Sequence, residues 1–135
     1  MKKILFLCKE NSARSQMAEG IINHFYKDKF IAFSAGSHPQ SVHPLAIYVM
    51  KEIGIDISNQ RSKSVNEFLN EEFDYVIFVC SGDEDGVCPV FQGKAKKTLY
   101  WKIPNPTKRG NIEEFRKVRD ILKEKIEGIV KNEFD

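Results

Sequence analysis

One cysteine near the start of the chain is followed, at a short fixed interval, by an arginine and a serine. The segment reads CKENSARS over residues 8–15, with five residues between Cys8 and Arg14. This spacing allows successive backbone N–H groups to converge on one tetrahedral anion, and the guanidinium of Arg14 can pair with two of its oxygens. We call residues 8–15 the oxyanion loop. The pattern predicts that Cys8 attacks an oxyanion bound by the remaining loop residues, which are Lys9, Glu10, Asn11, Ser12, Ala13 and Arg14.

Two features near the oxyanion loop favour the thiolate form of Cys8 near neutral pH, and a third favours the loop conformation. A helix is predicted to begin directly after the loop, and the N-terminus of a helix adds positive potential. Ser15 can donate a hydrogen bond to the sulfur. Asn11 tolerates the left-handed backbone conformation of a tight loop, and its side chain can bond to the loop backbone. The alternative interpretation is a helix-capping serine beside an incidental cysteine.

Composition limits the classes of protein to which the chain can belong. Its three cysteines, Cys8, Cys80 and Cys88, are an odd number without a signal peptide, which argues against a structural disulfide framework. A net charge of +2 is too balanced for a nucleic-acid surface. No apolar run reaches the ~18–20 residues that cross a membrane. We therefore expect one cytoplasmic domain over residues 1–135, monomeric by default, with no nucleic-acid or membrane partner.

Short apolar runs alternate with segments of helical periodicity along the chain. Strands are predicted at residues 3–7, 30–34, 75–79 and 98–101, and helices at residues 15–27, 44–54, 64–69 and 112–129. The alternation predicts an α/β fold with a four-stranded parallel sheet and helices on both faces. In a doubly wound sheet of order 2-1-3-4, strands one and three are neighbours. Cys8 and Cys80, which follow those strands, would then meet at one edge of the sheet.

The residues around Cys8 resemble a known family. The sequence CKENSARSQMAEG, residues 8–20, is similar to the active-site segment of thioredoxin-coupled arsenate reductases, which share the fold of low-molecular-weight protein tyrosine phosphatases. Residues 34–36 (SAG), 56–58 (DIS) and 115–120, together with Cys80 and Cys88-Pro89, agree with the same family. The resemblance spans essentially the whole chain. It implies that Cys8 is the nucleophile, Arg14 the oxyanion clamp, and Cys80 and Cys88 the redox relay.

The two additional cysteines distinguish a reductase from a phosphatase. A phosphatase needs one nucleophile because water completes its reaction, whereas reduction of arsenate to arsenite needs two electrons, which thiols supply by forming a disulfide. Under the resemblance, Cys8 attacks arsenate, Cys80 attacks Cys8 with release of arsenite, and Cys88 attacks Cys80. Thioredoxin then reduces the Cys80–Cys88 disulfide by exchange, and residual phosphatase activity is expected beside this reaction.

One catalytic position departs from the family pattern. The family carries an Asp-Pro pair whose aspartate protonates the leaving oxygen, and Asn105 precedes Pro106 at the matching place. An amide can donate a hydrogen bond but cannot deliver a proton, and loss of a general acid typically costs ~10²–10⁴-fold. We expect arsenate reduction to suffer less, because arsenate can bring its own proton on the departing oxygen. The candidate replacement acids are Asp83, Glu84 and Asp85.

A second departure concerns a cation site. Some relatives bind a potassium ion near the oxyanion loop, and Asn11, Glu19 and Ser34 match that site. Lys63 stands where an acidic ligand is expected, so its ammonium can take the place of the ion and pair with Glu19. The alternative is a solvated lysine. No tightly bound cofactor is expected, and the three histidines, which show no metal-ligand spacing, are expected at the surface (His24, His38 and His43).

Two other functions stay open on the sequence alone. The first is a low-molecular-weight protein tyrosine phosphatase, against which stand the paired Cys80 and Cys88 and the missing acid. Thr107 also follows Pro106 where such phosphatases often carry tyrosine. The second is a non-catalytic oxyanion-binding sensor that has kept the loop and lost its acid.

Overall fold

The part of the chain that the structure describes forms a sheet of four parallel strands in the order β2-β1-β3-β4. The computed structural model describes residues 1–80 and 91–134. The strands are Lys2–Cys8 (β1), Phe30–Gly36 (β2), Glu72–Phe78 (β3) and Lys94–Tyr100 (β4). β1 pairs with β2 from Lys2↔Phe30 to Cys8↔Gly36, and with β3 from Ile4↔Tyr75 to Leu7↔Phe78. The predicted α/β class and strand order are confirmed, and Cys8 is the last residue of the central strand β1.

Within residues 1–80 and 91–134, three α-helices connect or follow the strands. They are Arg14–Phe25 (α1), Pro44–Lys51 (α2) and Ile112–Phe134 (α3), and a 3₁₀ helix spans Val65–Phe68. α1 ends two residues before the predicted boundary because Lys29 N–H and Phe30 N–H both bond to Tyr26 O, which turns the chain into β2. Phe25, the last residue of α1, is 42% exposed.

Each face of the sheet packs against its own hydrophobic cluster. Alternate residues of a strand point to opposite faces, so Ile4 and Phe6 join the three α-helices in the larger cluster. Leu5 and Leu7 join the smaller cluster, which Phe68 of the 3₁₀ helix covers. All four strand residues are 0% exposed, and each buried side chain of this kind contributes about 1.5–3 kcal/mol. The two clusters hold β1, and therefore the start of the oxyanion loop, in a fixed position.

Arginine contacts fix α3 against the end of α2. Arg119 Nη1 donates to Val49 O at 2.8 Å and to Glu52 Oε1 at 2.9 Å. Arg116 adds a 2.6 Å bond from Nη2 to Glu52 Oε2, and these bonds hold the pKa of Glu52 below its usual value. α2 is thereby anchored at its C-terminal end, while its N-terminal end lies beside the oxyanion loop.

The strand β4 begins four residues earlier than its apolar pattern indicates. The segment Lys94-Ala95-Lys96-Lys97 lacks a continuous apolar face, yet it pairs in register with β3 from Glu72↔Lys94 onward. Since β4 lies at the sheet edge, its backbone is paired on one side while its lysines stay exposed.

No helix within the described part of the chain has the length and apolar character needed to cross a membrane.

Candidate active site

Hydrogen bonds from the surrounding chain fix the carbonyl groups of the oxyanion loop. The carbonyl oxygens of four successive residues, 9–12, each accept a bond from a group outside the loop. Their donors are His38 N (2.8 Å to Lys9 O), Gln40 N (3.0 Å to Glu10 O), Ser62 Oγ (2.6 Å to Asn11 O) and His43 N (2.9 Å to Ser12 O). The protein itself therefore fixes the conformation of the loop.

The same contacts determine where the loop N–H groups point. In a trans peptide unit the carbonyl and the following N–H point in opposite directions. With the carbonyls of residues 9–12 bonded outward, the N–H groups of Glu10, Asn11, Ser12 and Ala13 turn inward. Among residues 1–80 and 91–134, these four N–H groups have no hydrogen-bond acceptor. Inward N–H groups above the N-terminus of α1 form a cradle suited to an oxyanion.

Two backbone positions allow this tight conformation. Asn11 has φ 51°, the left-handed geometry that the sequence predicted for it. Gly36, at the end of β2, packs directly on the loop: a Cβ placed there would lie 2.5 Å from Lys9 O and 2.8 Å from Cys8 O. Because both neighbours are backbone atoms, no larger residue fits without displacing the loop. Gly36 stood in the SAG segment, but its close approach to the loop was not predicted.

The thiol of Cys8 is buried and hydrogen-bonded. Cys8 is a free cysteine with 2% exposure, and its Sγ lies 2.9 Å from Ser15 Oγ. Asn11 Oδ1 accepts the main-chain N–H of Lys63 at 2.8 Å, which identifies that atom as the oxygen. Asn11 Nδ2 therefore faces Ser15 Oγ, at 2.7 Å, and can only donate to it. The hydroxyl proton of Ser15 is therefore left to point at the sulfur of Cys8.

Arg14 closes the cradle from the first position of α1. Its side chain is buried, with 5% exposure for the residue, and Nη1 donates to Ile103 O at 3.1 Å. Ile103 belongs to the segment after β4, and its own N–H donates to Cys80 O at 3.1 Å. One stretch of backbone thus links the guanidinium of the loop to the residue that follows β3. A buried guanidinium beside inward N–H groups can hold a multiply charged anion.

Cys80 lies where the strand order predicts, beyond the end of β3 and next to β1. Val79 N–H donates to Leu7 O at 2.9 Å, so the segments that follow β3 and form β1 are still paired one residue before each cysteine. Cys80 is 8% exposed, belongs to the same buried cluster as Cys8, and is disulfide-bonded. Cys88 and the candidate acids Asp83, Glu84 and Asp85 lie outside the described residues.

Asn105 is half-buried in the segment after β4. Its Oδ1 accepts from Thr107 N at 3.1 Å and from Thr107 Oγ1 at 2.7 Å, which makes an Asx turn across Pro106. The side-chain oxygen of Asn105 is therefore used inside its own turn. The same turn explains how an asparagine is accommodated at this position without loss of local structure.

The residues matched to the cation site lie together around a buried ion pair. Lys63 Nζ is 3.5 Å from Glu19 Oε1, and each side chain is 11% exposed. Ser34 Oγ donates to the same carboxylate oxygen at 2.7 Å, and Lys63 Nζ also donates to Arg61 O at 2.8 Å. Burial raises the pKa of Glu19, and the Lys63 ammonium and the Ser34 hydroxyl oppose that shift. The solvated lysine considered as the alternative is not what the structure contains.

The histidines differ in their environments. His24 and His38 are exposed, whereas His43 is half-buried. Its Nδ1 accepts from Leu45 N–H at 3.1 Å as the cap of α2, and its ring lies 4.7 Å from that of Phe115. Within the described ranges, no three His, Cys, Asp or Glu side chains are grouped as metal ligands.

Sequence reasoning missed a second layer of polar residues behind the loop. Gln16 is 0% exposed, and Gln60 bonds to it from a distant part of the chain. Ser62 holds the Asn11 carbonyl in the same region. A glutamine in the first turn of a helix carries no signal that separates a buried amide from an exposed one. These contacts depend on how the segment of residues 60–63 packs against α1.

Comparison with known proteins places this geometry in a family. The family model described as low molecular weight phosphotyrosine protein phosphatase matches residues 3–133. The chain belongs to this family. The predicted resemblance is thereby confirmed.

The proteins similar to this chain include arsenate reductases. This chain is 39% identical to the arsenate reductase of Halalkalibacterium halodurans, covering 93% of this chain and 92% of the relative. It is 37% identical to the glutaredoxin arsenate reductase of Synechocystis sp., covering 96% and 97%. A solved arsenate reductase in the phosphate binding state superposes with a TM-score of 0.86 at 36% identity, covering 98% of both chains. The thioredoxin-dependent arsenate reductase of Corynebacterium glutamicum gives a TM-score of 0.67 at 28% identity, covering 98% of this chain and 63% of that one.

Proposed function

We propose that this protein reduces arsenate to arsenite through Cys8, Cys80 and Cys88, with thioredoxin as the electron donor. The observation that carries the proposal is the position of Cys8, a free buried thiol at the mouth of a cradle of inward N–H groups, beside the strand that leads to Cys80. The names of the relatives support arsenate as the substrate. The relatives include a protein named glutaredoxin arsenate reductase and a thioredoxin-dependent arsenate reductase. The identity of the electron donor is therefore the part of the proposal that the assay below decides.

The proposed reaction balances as three successive thiolate attacks followed by reduction of a disulfide. The Cys8 thiolate attacks arsenic(V), one arsenate oxygen leaves as water after protonation, and a sulfur–arsenic bond forms. Cys80 attacks the Cys8 sulfur, the sulfur–arsenic bond breaks, and its electron pair stays on arsenic, which leaves as arsenite. Cys88 then attacks Cys80, which restores the Cys8 thiolate and leaves a Cys80–Cys88 disulfide. The thioredoxin dithiol reduces that disulfide and becomes oxidised.

In this proposal the backbone N–H groups and side chains of the cradle have separate roles. The inward N–H groups and Arg14 hold the oxyanion oxygens, so charge that develops on them during attack is stabilised without reorganisation. Ser15 supports the thiolate until it attacks and again when it is expelled from the Cys8–Cys80 disulfide. We place the protein in the cytoplasm, where thiols are kept reduced between turnovers.

Three assays on one preparation separate the candidate functions. We expect arsenate to cause NADPH consumption in the presence of thioredoxin and thioredoxin reductase, with arsenite as the product. Replacing thioredoxin by glutaredoxin and glutathione tests the donor. Release of phenol from an aryl phosphate without any reductant consumption would instead assign a phosphatase. Protection of Cys8 from alkylation by phosphate without any turnover would assign a sensor.

Residual phosphatase activity is the second candidate, and Asn105 is the position that tests it. We expect Asn105→Asp to raise the kcat for an aryl phosphate by ~10-fold or more, because an acid at this position can protonate the leaving oxygen. An aspartate keeps one oxygen for the bonds to Thr107 and offers the other to the substrate. Arsenate reduction should change much less. An unchanged kcat in a folded variant would show that protonation of the leaving group does not limit this reaction.

We further propose that Lys63 supplies the positive charge that a potassium ion supplies in some relatives. The ammonium pairs with the carboxylate that would bind the ion, so the residues present do not fit a second cation. Exchange of potassium for sodium at constant ionic strength should therefore leave activity unchanged. A strong and specific response to potassium would contradict this proposal.

Removing the Lys63 charge should make stability depend on pH. Burial already raises the pKa of Glu19, so ionisation of this carboxyl costs folding free energy as pH rises through the raised pKa. Without the ammonium the pKa rises further and the cost at pH 7 grows. We expect Lys63→Met to be destabilising by about 1–3 kcal/mol more at pH 7 than at pH 4.5, as measured by urea unfolding. The Glu19→Gln/Lys63→Met double variant is the control, and a pH effect that persists in it would have another source.

A further inference from the structure

We infer that Gln16 is a positioning residue for the nucleophile: its side-chain amide, held by Gln60, orients Asn11 so that the Ser15 hydroxyl donates a hydrogen bond to the Cys8 sulfur. The inference rests on the proposed role of Cys8 as the attacking thiolate. It concerns two glutamines behind the oxyanion loop, neither of which had been predicted to have a functional role.

The side-chain nitrogen of Gln16 lies among three oxygens. Nε2 is 2.9 Å from Asn11 Oδ1, 3.0 Å from Asn11 O and 2.8 Å from Arg61 O. A carbonyl oxygen placed there would face three other acceptors, so only the amide nitrogen fits. Gln16 therefore donates hydrogen bonds to both the backbone and the side chain of Asn11, the loop residue with left-handed backbone geometry.

Gln60 fixes the other half of the Gln16 amide. Its Nε2 donates to Gln16 Oε1 at 2.8 Å and to Gln16 O at 3.0 Å. With its oxygen held by a donor and its nitrogen held by acceptors, the Gln16 amide has one stable orientation. A single chain of hydrogen bonds then runs from Gln60 through Gln16, Asn11 and Ser15 to the sulfur of Cys8.

Burial strengthens the influence of this series of hydrogen bonds on the sulfur of Cys8. Gln16, Asn11 and Ser15 are all 0% exposed, so solvent does not compete for their bonds. If Gln16 were apolar, the main-chain N–H of Lys63 would be the remaining donor to Asn11 Oδ1. The Asn11 amide could then turn its oxygen to Ser15, whose proton would bond to that oxygen instead of to the thiolate. The predicted consequence is a sulfur that ionises less readily.

A purely structural role for Gln16 makes a different prediction. Its bond to Arg61 O ties the segment of residues 60–63 to α1, and the loss of that tie alone would lower stability. It would not change how the reactivity of Cys8 depends on pH. The two roles can therefore be separated by measuring the alkylation rate of the sulfur at two pH values.

The test compares alkylation of Cys8 by iodoacetamide at pH 7 and pH 9, followed by mass spectrometry of the Cys8 peptide. We expect Gln16→Met to lower the ratio of the pH 7 rate to the pH 9 rate about 10-fold, the effect of losing one hydrogen bond to a charged group. Gln60→Met should lower it in the same direction by a smaller factor. The matched control is Gln92→Met, at an exposed glutamine, which should keep the wild-type ratio.

A double-mutant cycle with Ser15→Ala completes the test. If Gln16 acts through Ser15, Gln16→Met should not lower the ratio further once the hydroxyl is gone. A wild-type ratio in folded Gln16→Met, or an undiminished effect in the Ser15→Ala background, would overturn the inference. If Gln16→Met does not fold, Gln60→Met decides: a lowered ratio supports the inference and a wild-type ratio overturns it. Failure of wild-type Cys8 to react at pH 7 would count against the proposed function instead.

Discussion

A Cys80→Ser variant should lose arsenate-dependent consumption of reductant completely while it continues to hydrolyse an aryl phosphate at the wild-type rate. The reason is chemical: the thio-arsenic ester on Cys8 can release arsenite only if a second sulfur attacks Cys8, and a hydroxyl cannot form a disulfide. Phosphate transfer to Cys8 is completed by water, so that reaction does not need Cys80. The two activities are measured as NADPH oxidation and phenol release on the same sample.

The comparison needs controls because Cys80 is buried, with 8% exposure. Circular dichroism and protection of Cys8 by phosphate should be as in the wild type, which shows that the cradle is intact. Cys8→Ser is the matched variant and should lose both activities. If Cys80→Ser still reduced arsenate over many turnovers, the relay would be wrong and an external thiol would have to resolve the ester on Cys8.

Substitution of Arg14 by lysine should lower kcat/KM for arsenate by ~10²–10³-fold, the usual cost of losing one preorganised donor to a developing oxyanion. Lysine keeps the positive charge but presents a single nitrogen in place of a planar fork, so it loses the bidentate geometry that lets the guanidinium bind two oxygens of one anion while Nη1 donates to Ile103 O. The value of kcat/KM should fall, and a higher concentration of phosphate should be needed to protect Cys8. Steady-state kinetics with thioredoxin held in excess give the first quantity.

Arg109 provides the matched control for this substitution. It is exposed in the segment after β4, and Arg109→Lys should leave kcat/KM unchanged. The fold of Arg14→Lys is checked by thermal unfolding, because the lost bond to Ile103 O also joins two segments. A loss smaller than 10-fold in a folded variant would mean that the inward N–H groups alone hold the oxyanion.

The sequence predicted those parts of the site that depend on neighbours along the chain. The spacing from Cys8 to Arg14 placed the loop between β1 and α1, and the short apolar runs predicted the central strands. The early start of β4 was missed because its lysines pair through backbone atoms, which carry no side-chain signal. The Gln16–Gln60 contact was missed because it joins residues 44 positions apart. The close approach of Gly36 to the loop has the same origin, since it depends on the packing of β2 against the end of β1.

The outward bonding of the loop carbonyls has a consequence for selectivity. A cradle whose shape the protein has already fixed recognises tetrahedral geometry and negative charge, and arsenate and phosphate share both. Discrimination between them must then arise after binding, at the step where arsenic gains two electrons and the thiols are oxidised to a disulfide. Phosphorus does not undergo this reduction here. Phosphate should accordingly behave as a competitive inhibitor, and the phosphate level in the cell should set the lowest arsenate concentration at which the protein works.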